Sequence, residues 1–314
     1  MRVLSTKEPV HSEFAKSGLG QTSFHLGEFS LAREHLQTAI SLYDPNRTLA
    51  PLGIISGVVH LSYAAWTLWY LGYADEALKR GNDARALAQR HAHPHSVVFA
   101  EIYIATLRLL RREATAAQET AQHLVTLSTE NGLADMLSGA TSVNGAARVE
   151  IGGGQEGIAL IQEGLAGIRA TGLEMIRPFH LCWMAEACCR LGRVEEGLHA
   201  VAEALAIADK RENRFNEAES YRLKGELLLT GDSVNVAAAQ GCFERAIEIA
   251  RRQSAKSWEL RATMSLARLL DKQGDREKAR TMLAEIYNWF TEGFDTADLK
   301  DANALLDKLN ARHA

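Results

Sequence analysis

Small residues recur at a nearly constant spacing along this chain of 314 residues. Four of the six steps between them are 40 residues long, and the other two are 45 and 42 residues long. The positions are Ala32, Ala77, Ala117, Gly157, Gly197, Ala239 and Ala279. A second set precedes the first by twelve residues in every copy except the sixth, where the interval is fourteen: Gly20, Ala65, Ala105, Gly145, Ala185, Gly225 and Ala267. Such a period predicts one structural unit that is used seven times.

The unit itself is a pair of helices. A turn glycine stands five residues before the small residue in YLGYADEAL and RLGRVEEGL, and the chain holds only 5 prolines. Small residues on both sides of a turn let two antiparallel helices approach closely. The pattern resembles the tetratricopeptide repeat (TPR), whose usual length is about 34 residues. It predicts an all-α, tetratricopeptide-like right-handed superhelical solenoid of about seven helix pairs plus a C-terminal capping helix.

The spacing also predicts how the chain is organised, as a single solenoid over residues 1–314. The repeats are placed near 10–43, 52–92, 95–132, 133–172, 174–213, 214–253 and 255–291, and the capping helix at 295–313. The side of that last helix expected to face solvent carries Asp298, Lys300, Asp301, Asp307 and Lys308. Repeat four is rich in glycine, so we expect it to be either the most flexible repeat or the one with the closest helix contact.

Composition and charge argue against several classes of partner. The chain is 46% hydrophobic and 24% charged, as in ordinary soluble proteins. A formal net charge of −4 gives no general attraction to nucleic acid or to an anionic membrane surface. The N-terminus lacks the apolar segment of a secretory signal, so we expect a cytoplasmic location. The four cysteines show no CxxC pair, and we interpret them as reduced thiols.

One run, between Arg47 and Asp75, has no charged residue except His60 when it is protonated, and it is long enough to cross a bilayer. Pro51 and Gly53 interrupt it, and acidic rather than basic residues follow it. Its Ala65 also falls on the repeat spacing. We therefore interpret the run as the first helix of repeat two, covered by its neighbours, and expect no membrane partner.

Several segments resemble one protein family. They are YRLKGELLL and CFERAIEIARRQSAKSWELRATMSLARLL near the C-terminus, and FHLGEFSLAREHLQTAISLYDP, YLGYADEAL and HPHSVVFAEIY nearer the N-terminus. They are similar to the C-terminal TPR region of large bacterial signalling proteins. In that family a class III nucleotide cyclase or helix-turn-helix output domain is joined to a signal-transduction ATPase and then to the array. The resemblance implies a regulatory role and no catalytic residue here, because the family's catalytic motifs lie in the other domains.

Two motifs could hold a ligand. His91, His93 and His95 in RHAHPHS could converge on one transition metal, but they fall in the turn between repeats two and three, with no Cys or Asp beside them. The glycine run in EIGGGQEG lacks the Lys-Ser/Thr of a phosphate loop and fits a turn. We therefore expect no metal, no cofactor and no enzymatic activity.

The candidate binding surface follows from the geometry of the fold, in which the first helix of each repeat lines the concave side. Repeats two and three place aromatic and aliphatic groups there, and repeats six and seven place charges of both signs. The predicted partner-binding groove consists of Tyr63, Trp66, Trp69, Phe99, Tyr103, Glu186, Arg222, Glu226, Arg261 and Arg268. Apolar anchors beside charges suit a peptide or a partner helix. The competing interpretation is that a tightly wound superhelix buries these aromatic groups.

The sequence thus predicts a non-catalytic interaction or regulatory module that binds a protein or peptide in its concave groove. The alternative is a sensor of a small-molecule effector. A closed pocket around the aromatic residues would favour that sensor, and an open channel would favour a peptide. An enzyme would come back into question if Glu186, Glu219 and Glu226 were found clustered in a deep cavity.

Overall fold

The computed structural model describes residues 8–45, 53–231 and 234–311, and these contain fifteen α-helices and no β-strand. The helices are α1 (Glu8–His25), α2 (Phe29–Leu42), α3 (Ser56–Tyr70), α4 (Ala74–His91), α5 (Pro94–Leu110), α6 (Ala114–Glu130), α7 (Ala134–Glu150), α8 (Gly154–Thr171), α9 (Arg177–Arg190), α10 (Val194–Arg211), α11 (Glu217–Leu228), α12 (Val236–Arg252), α13 (Lys256–Gln273), α14 (Arg276–Tyr287) and α15 (Ala297–Asn310). Seven helix pairs followed by α15 confirm the predicted all-α, TPR-like solenoid. The predicted start of repeat two at residue 52 and the predicted end of the last helix at residue 313 lie outside the described residues.

The two helices of a pair are joined by a tight turn that needs a left-handed backbone. Gly72 supplies it between α3 and α4 with φ of 96°. Between α5 and α6 the equivalent position is Arg112, with φ of 62°. A left-handed conformation disfavours side chains other than Asn, Asp and Gly. This explains why glycine marks the turn in most copies, and it makes Arg112 an exception whose side chain has a role described below.

The long uncharged run belongs to α3, and 13 of its 15 residues are buried. Neighbouring helices cover α3 on both sides, so its apolar surface faces protein. In the part of the chain that the structure describes, no helix is both long and apolar enough to cross a membrane.

Repeat four contains the closest helix contact, which was one of the two expectations for it. A Cβ atom added to Gly145 of α7 would lie 2.6 Å from the carbonyl oxygen of Gly157 in α8, and the reverse distance is also 2.6 Å. Real Cβ atoms do not approach backbone that closely. The glycines of this repeat therefore allow two helix backbones to touch, and this outweighs their low helix propensity.

Replacing Gly157 by alanine should therefore destabilise the protein although alanine is the better helix former. Separating α7 and α8 should cost about 1–3 kcal/mol, more than the gain in helix propensity of about 1 kcal/mol. Gly241 is the matched control, since it lies inside α12 with nothing within 4 Å of an added Cβ. Gly241→Ala should raise the midpoint of urea unfolding and Gly157→Ala should lower it. Equal shifts in the same direction would contradict the close-contact explanation.

The superhelix is wound so tightly that its first two repeats meet its last two. The carbonyl oxygen of His25, at the end of α1, accepts hydrogen bonds from the backbone N–H of Arg214 at 2.7 Å and of Phe215 at 3.2 Å. Tyr70 donates a hydrogen bond to Asn216 at 3.3 Å, and Ser257 donates to the backbone oxygen of Trp69 at 2.5 Å. The first two repeats are thereby joined to α11 and α13.

Aromatic side chains from both ends of the chain fill the space between these repeats. We call this group the aromatic core: Phe24, Phe29, Tyr63, Trp66, Trp69, Tyr70, Phe215 and Trp258, all of them buried. Phe24 lies 5.2 Å from Phe215, and Trp69 lies 4.8 Å from Trp258, between ring centroids. Aromatic pairs at these separations add to the stabilisation from burying their area. The aromatic core is therefore the main apolar contact that closes the superhelix.

A buried histidine makes stability depend on pH. His180 of α9 lies with its Nδ1 atom 2.8 Å from Ser142 Oγ of α7, and burial lowers its pKa from 6.5 to about 3. Between these two values the unfolded chain binds a proton that the folded chain does not, so stability falls as the pH drops below 6.5. His25 and His60, whose pKa values burial lowers to about 4, act in the same direction.

We expect His180→Gln to remove one part of this dependence. For a group with these pKa values, the loss between pH 7.5 and pH 5.5 is about 1.4 kcal/mol. The free energy of unfolding, measured in urea at both pH values, should therefore change less in the variant by about that amount. His199→Gln, on the exposed side of α10, is the control and should leave the difference unchanged. An unchanged difference in His180→Gln would show that His180 is protonated in the folded protein.

Candidate functional site

A cavity of about 220 Å³ lies inside the superhelix, and we call it the central cavity. Its walls come from α5, α7, α9, α11, α13 and α15, with Trp183 and Trp258 among its apolar lining groups. Five arginines line it: Arg112, Arg190, Arg222, Arg261 and Arg268. Five acidic residues line it as well: Glu150, Glu186, Glu219, Asp298 and Asp301. The site is therefore polar and holds charges of both signs, next to the aromatic core.

The deepest ion pair of the central cavity lies within α11. Arg222 donates two hydrogen bonds to the carboxylate of Glu219, at 2.6 and 2.7 Å, and a longer one to Glu226 at 3.4 Å. Glu219 is only 4% exposed. Burial alone would lower the pKa of Arg222, but Glu219 outweighs it and holds that pKa well above the ordinary value. Glu226 also accepts a hydrogen bond from Ser265 of α13 at 2.5 Å, so α11 and α13 share one polar network.

A second group of ion pairs attaches α15 to the cavity wall. Arg261 of α13 contacts Asp298 at 2.7 Å and also donates to the backbone oxygen of Leu110 at 2.5 Å. Arg112, the residue with the left-handed backbone, contacts Asp298 at 3.5 Å and Asp301 at 2.5 Å. These arginines therefore bridge α5, α13 and α15 across the opening of the superhelix.

The prediction that Asp298 lies on the solvent side of the capping helix is wrong, because Asp298 is 13% exposed and pairs with two arginines of the cavity. The reason is that α15 presents this residue to the arginine-rich wall. Asp301 remains 45% exposed while it pairs with Arg112. Lys308 faces outward in part, although it contacts Asp271 at 2.8 Å.

On the opposite wall, two carboxylates share one arginine. Arg190 lies 3.5 Å from Glu186 and 3.6 Å from Glu150. Burial, and then the charge of Glu186, raise the pKa of Glu150. Burial acts on Glu186 in the same sense, but Arg222 and Arg190 outweigh it and lower its pKa. This wall therefore carries more negative than positive charge, and the negative charge lies on Glu186.

The ten residues predicted to form the groove fall into two groups. Glu186, Arg222, Arg261 and Arg268 all line the central cavity, and Glu226 lies at its edge through Ser265. The aromatic five do not line it. Tyr63, Trp66 and Trp69 belong to the aromatic core, with exposures of 6%, 7% and 2%. In this conformation they cannot serve as an open surface, which corrects that half of the predicted groove.

Phe99 and Tyr103, the other two aromatic residues of the predicted groove, cover one edge of the aromatic core. Tyr103 stacks on Trp66 at 4.2 Å between centroids and on Phe99 at 4.5 Å. The indole N–H of Trp66 donates to the backbone oxygen of Tyr103 at 2.9 Å. Both Phe99 and Tyr103 are partly exposed. These rings therefore pack against one another.

Sequence reasoning missed residues at the ends of the inner helices. Arg112, Glu150 and Arg190 stand at or just after the C-terminal ends of α5, α7 and α9, and none of them was in the predicted groove. Their charge was visible in the sequence, and extending the inward-facing pattern to the last residue of the helix would have found Glu150 and Arg190. Trp183 and Trp258 also line the cavity and were not in the predicted groove.

Two of the three histidines in the run contact other parts of the protein. His93 precedes α5 and its side chain accepts a hydrogen bond from the backbone N–H of Ser96, while Pro94 is the first helical residue. His95 lies 4.0 Å from Asp135. Among residues 8–45, 53–231 and 234–311 no three metal-binding side chains gather at one point.

Comparisons with known proteins bear on the fold. No protein-family model matches the sequence. An uncharacterized protein of Rhizobium meliloti (strain 1021) is 25% identical over 254 residues, which are 78% of this chain. The chain spans only 24% of that curated relative's length.

Two solved structures share the architecture. A Rap protein complexed with Competence and Sporulation Factor superposes with a TM-score of 0.65 at 12% identity, over 95% of this chain and 76% of that one. The Rap conjugation gene regulator of plasmid pLS20, in complex with the Phr* peptide, gives 0.67 at 9% identity, over 100% and 81% of the two chains. At such identities the likeness concerns the fold alone, and the chain is a TPR-like helical array.

Proposed function

We propose that this chain is a non-catalytic regulatory module that binds a peptide, or a peptide segment of a partner protein, in the central cavity. The observation that carries the proposal is the cavity itself, where five arginines and five carboxylates line a space between six helices. Four of these charged side chains are at most 13% exposed, namely Glu219, Arg222, Arg261 and Asp298. Buried charges lower stability unless they are well paired, so the fold alone gains little from gathering them. A site that recognises charged and polar groups gives this arrangement a purpose.

The dimensions suit part of a peptide better than a large ligand. The volume of the cavity is about 220 Å³. It is smaller than the roughly 300–1,000 Å³ of sites for drug-sized ligands. One or two side chains of a peptide, or its terminus, would fill the central cavity, while the rest of the peptide would lie along the opening of the cavity. The pLS20 regulator, which has the same fold, is described with a bound peptide, and this supports a peptide as the first candidate.

The chemistry of the cavity supports a role in binding. The carboxylates of Glu186, Glu219 and Glu226 do cluster there, and each contacts an arginine, while Glu226 also accepts a hydrogen bond from Ser265. The one cysteine that lines the cavity, Cys182, has a pKa that burial raises to about 12, so its thiol stays protonated near neutral pH. Carboxylates that are paired with arginines are suited to holding a ligand's charges, and we therefore propose binding as the role of the cavity.

A ligand in the central cavity would touch both halves of the superhelix, and this suggests how binding is sensed. The walls combine α5 and α7 with α11, α13 and α15. A bound peptide would therefore change the relative orientation of these repeats. We further propose that the repeats over residues 1–314 act as a single array. The sequence resemblance to bacterial signalling proteins extends the proposal to an ATPase or nucleotide cyclase that responds to this change.

A small-molecule effector is the second candidate, and the small volume of the cavity favours it. An amino acid, which carries both charges, would match the paired charges of the walls. Unlike a longer peptide, a bound amino acid would not require the superhelix to stay open on either side of the cavity.

Affinity selection tests the proposal. The chain is mixed with a pool of random hexapeptides and with the free amino acids, the complexes are separated by size exclusion, and retained molecules are identified by mass spectrometry. Ala146→Phe fills part of the cavity, whereas Ala134→Phe makes the same change at the exposed start of α7. We expect wild type and Ala134→Phe to retain the same peptides and Ala146→Phe to lose them. Retention of amino acids alone would favour the effector, and equal retention by all three proteins would reject the cavity as the site.

A further inference from the structure

We propose that Arg268 forms the part of the central cavity that binds a carboxylate of the ligand. The inference rests on the proposed function and adds which chemical group is recognised and by which side chain. Arg268 lies on α13 and lines the cavity.

The five arginines of the cavity differ in whether they contact a carboxylate of the protein. Arg112, Arg190, Arg222 and Arg261 each contact at least one carboxylate of the protein. In the described part of the chain, Arg268 contacts none, and its side chain is exposed to the cavity opening. A guanidinium offers a planar pair of N–H donors that matches a carboxylate. Arg268 is therefore the one arginine lining this cavity that contacts no carboxylate of the described chain, so both of its paired donors can serve a ligand.

The register of the helices places this donor opposite acidic groups. Arg268 follows Ser265 by three residues on α13, so both lie on one face of that helix. Ser265 reaches Glu226 of α11, and Glu226 and Glu186 hold the positions in α11 and α9 equivalent to Arg268. Along this ring of inner helices the charge changes from negative at α9 and α11 to positive at α13. A ligand that extends across these inner helices would therefore find a site for an anion at α13 and acidic groups at α11 and α9.

The balance of charge favours a carboxylate over a more highly charged anion. Besides the five arginines, the cavity and its edge hold six acidic residues, because Glu226 adds to the five that line it. A phosphate carries about two negative charges and would be repelled by these carboxylates. A carboxylate carries one charge and can use both donors of Arg268. Two parts of a peptide provide it, the C-terminus and an Asp or Glu side chain.

The test uses three hexapeptide pools on the intact chain. The first has free C-terminal carboxylates and no Asp or Glu, the second has the same sequences as C-terminal amides, and the third has amides with one Glu. The dissociation constants of the tightest retained peptides are then measured for wild type, Arg268→Gln and Arg280→Gln. Arg280 is the control because it pairs with Glu277 on the surface of α14.

We expect one of the two carboxylate-bearing pools to be retained in preference to the plain amides. Arg268→Gln should weaken its binding by about ten- to a hundredfold, as for the loss of charge-assisted hydrogen bonds, and Arg280→Gln should not. Retention of the first pool identifies the C-terminus as the source, and retention of the third identifies a side chain. Plain amides that bind as tightly, or unchanged binding by Arg268→Gln, would overturn the inference while leaving the proposed function intact. No retained peptide in any pool would reject both.

Discussion

Replacing Arg222 by methionine should lower the free energy of unfolding by about 3–5 kcal/mol. The substitution keeps most of the aliphatic volume but removes the partner of Glu219, which is 4% exposed. An unpaired buried charge is among the most destabilising changes in a protein. Urea unfolding followed by circular dichroism measures the effect.

Two further variants separate this explanation from simple loss of packing. Arg222→Met combined with Glu219→Leu removes both charges and should recover most of the lost stability, because apolar groups of similar size can replace a buried pair. Arg280→Met breaks an exposed pair and should not measurably move the midpoint. If the double variant were as unstable as Arg222→Met alone, the pairing of these two charges would not be the cause.

Replacing Phe24 by alanine should have an effect of similar size on the aromatic core. Phe24 is fully buried, and its ring lies within 5.2–5.7 Å of the rings of Phe215, Tyr70 and Tyr63. Loss of a buried phenyl ring costs about 3–5 kcal/mol. Because Phe24 joins repeat one to α11, we also expect faster hydrogen exchange at Arg214 and Phe215, whose N–H groups bond to His25.

An exposed phenylalanine is the matched control. Phe294 is 48% exposed, so Phe294→Ala should change stability by no more than about 0.5 kcal/mol and leave exchange at residues 214 and 215 unchanged. Unfolding of Phe24→Ala without faster exchange at these two amides would mean that repeat one does not help to hold α11 in place.

The fold could be predicted because its cause is local. Each pair of helices needs a tight turn and small residues where the helices touch, and both appear at fixed positions such as Gly72, Ala65 and Ala77. Even the glycines of repeat four had a local reason, the contact of Gly145 with Gly157.

The state of the candidate site could be predicted only in part, because it depends on how tightly the superhelix winds. The inner-helix pattern placed Glu186, Arg222 and Arg261 at the cavity. It could not show that Trp69 packs on Trp258, since these residues are far apart in sequence and no periodic pattern relates them. The same contact between distant repeats explains why Tyr63, Trp66 and Trp69 are buried and do not line an open groove. It also explains the inward orientation of Asp298, which meets arginines from α5 and α13.

The most direct measurement is a crystal structure of the wild-type chain with the tightest peptide from the affinity selection. We expect peptide density inside the superhelix, against α9, α11 and α13, with a carboxylate beside the guanidinium of Arg268. Peptide bound to the outer helices, with the central cavity unchanged, would contradict the proposed binding site.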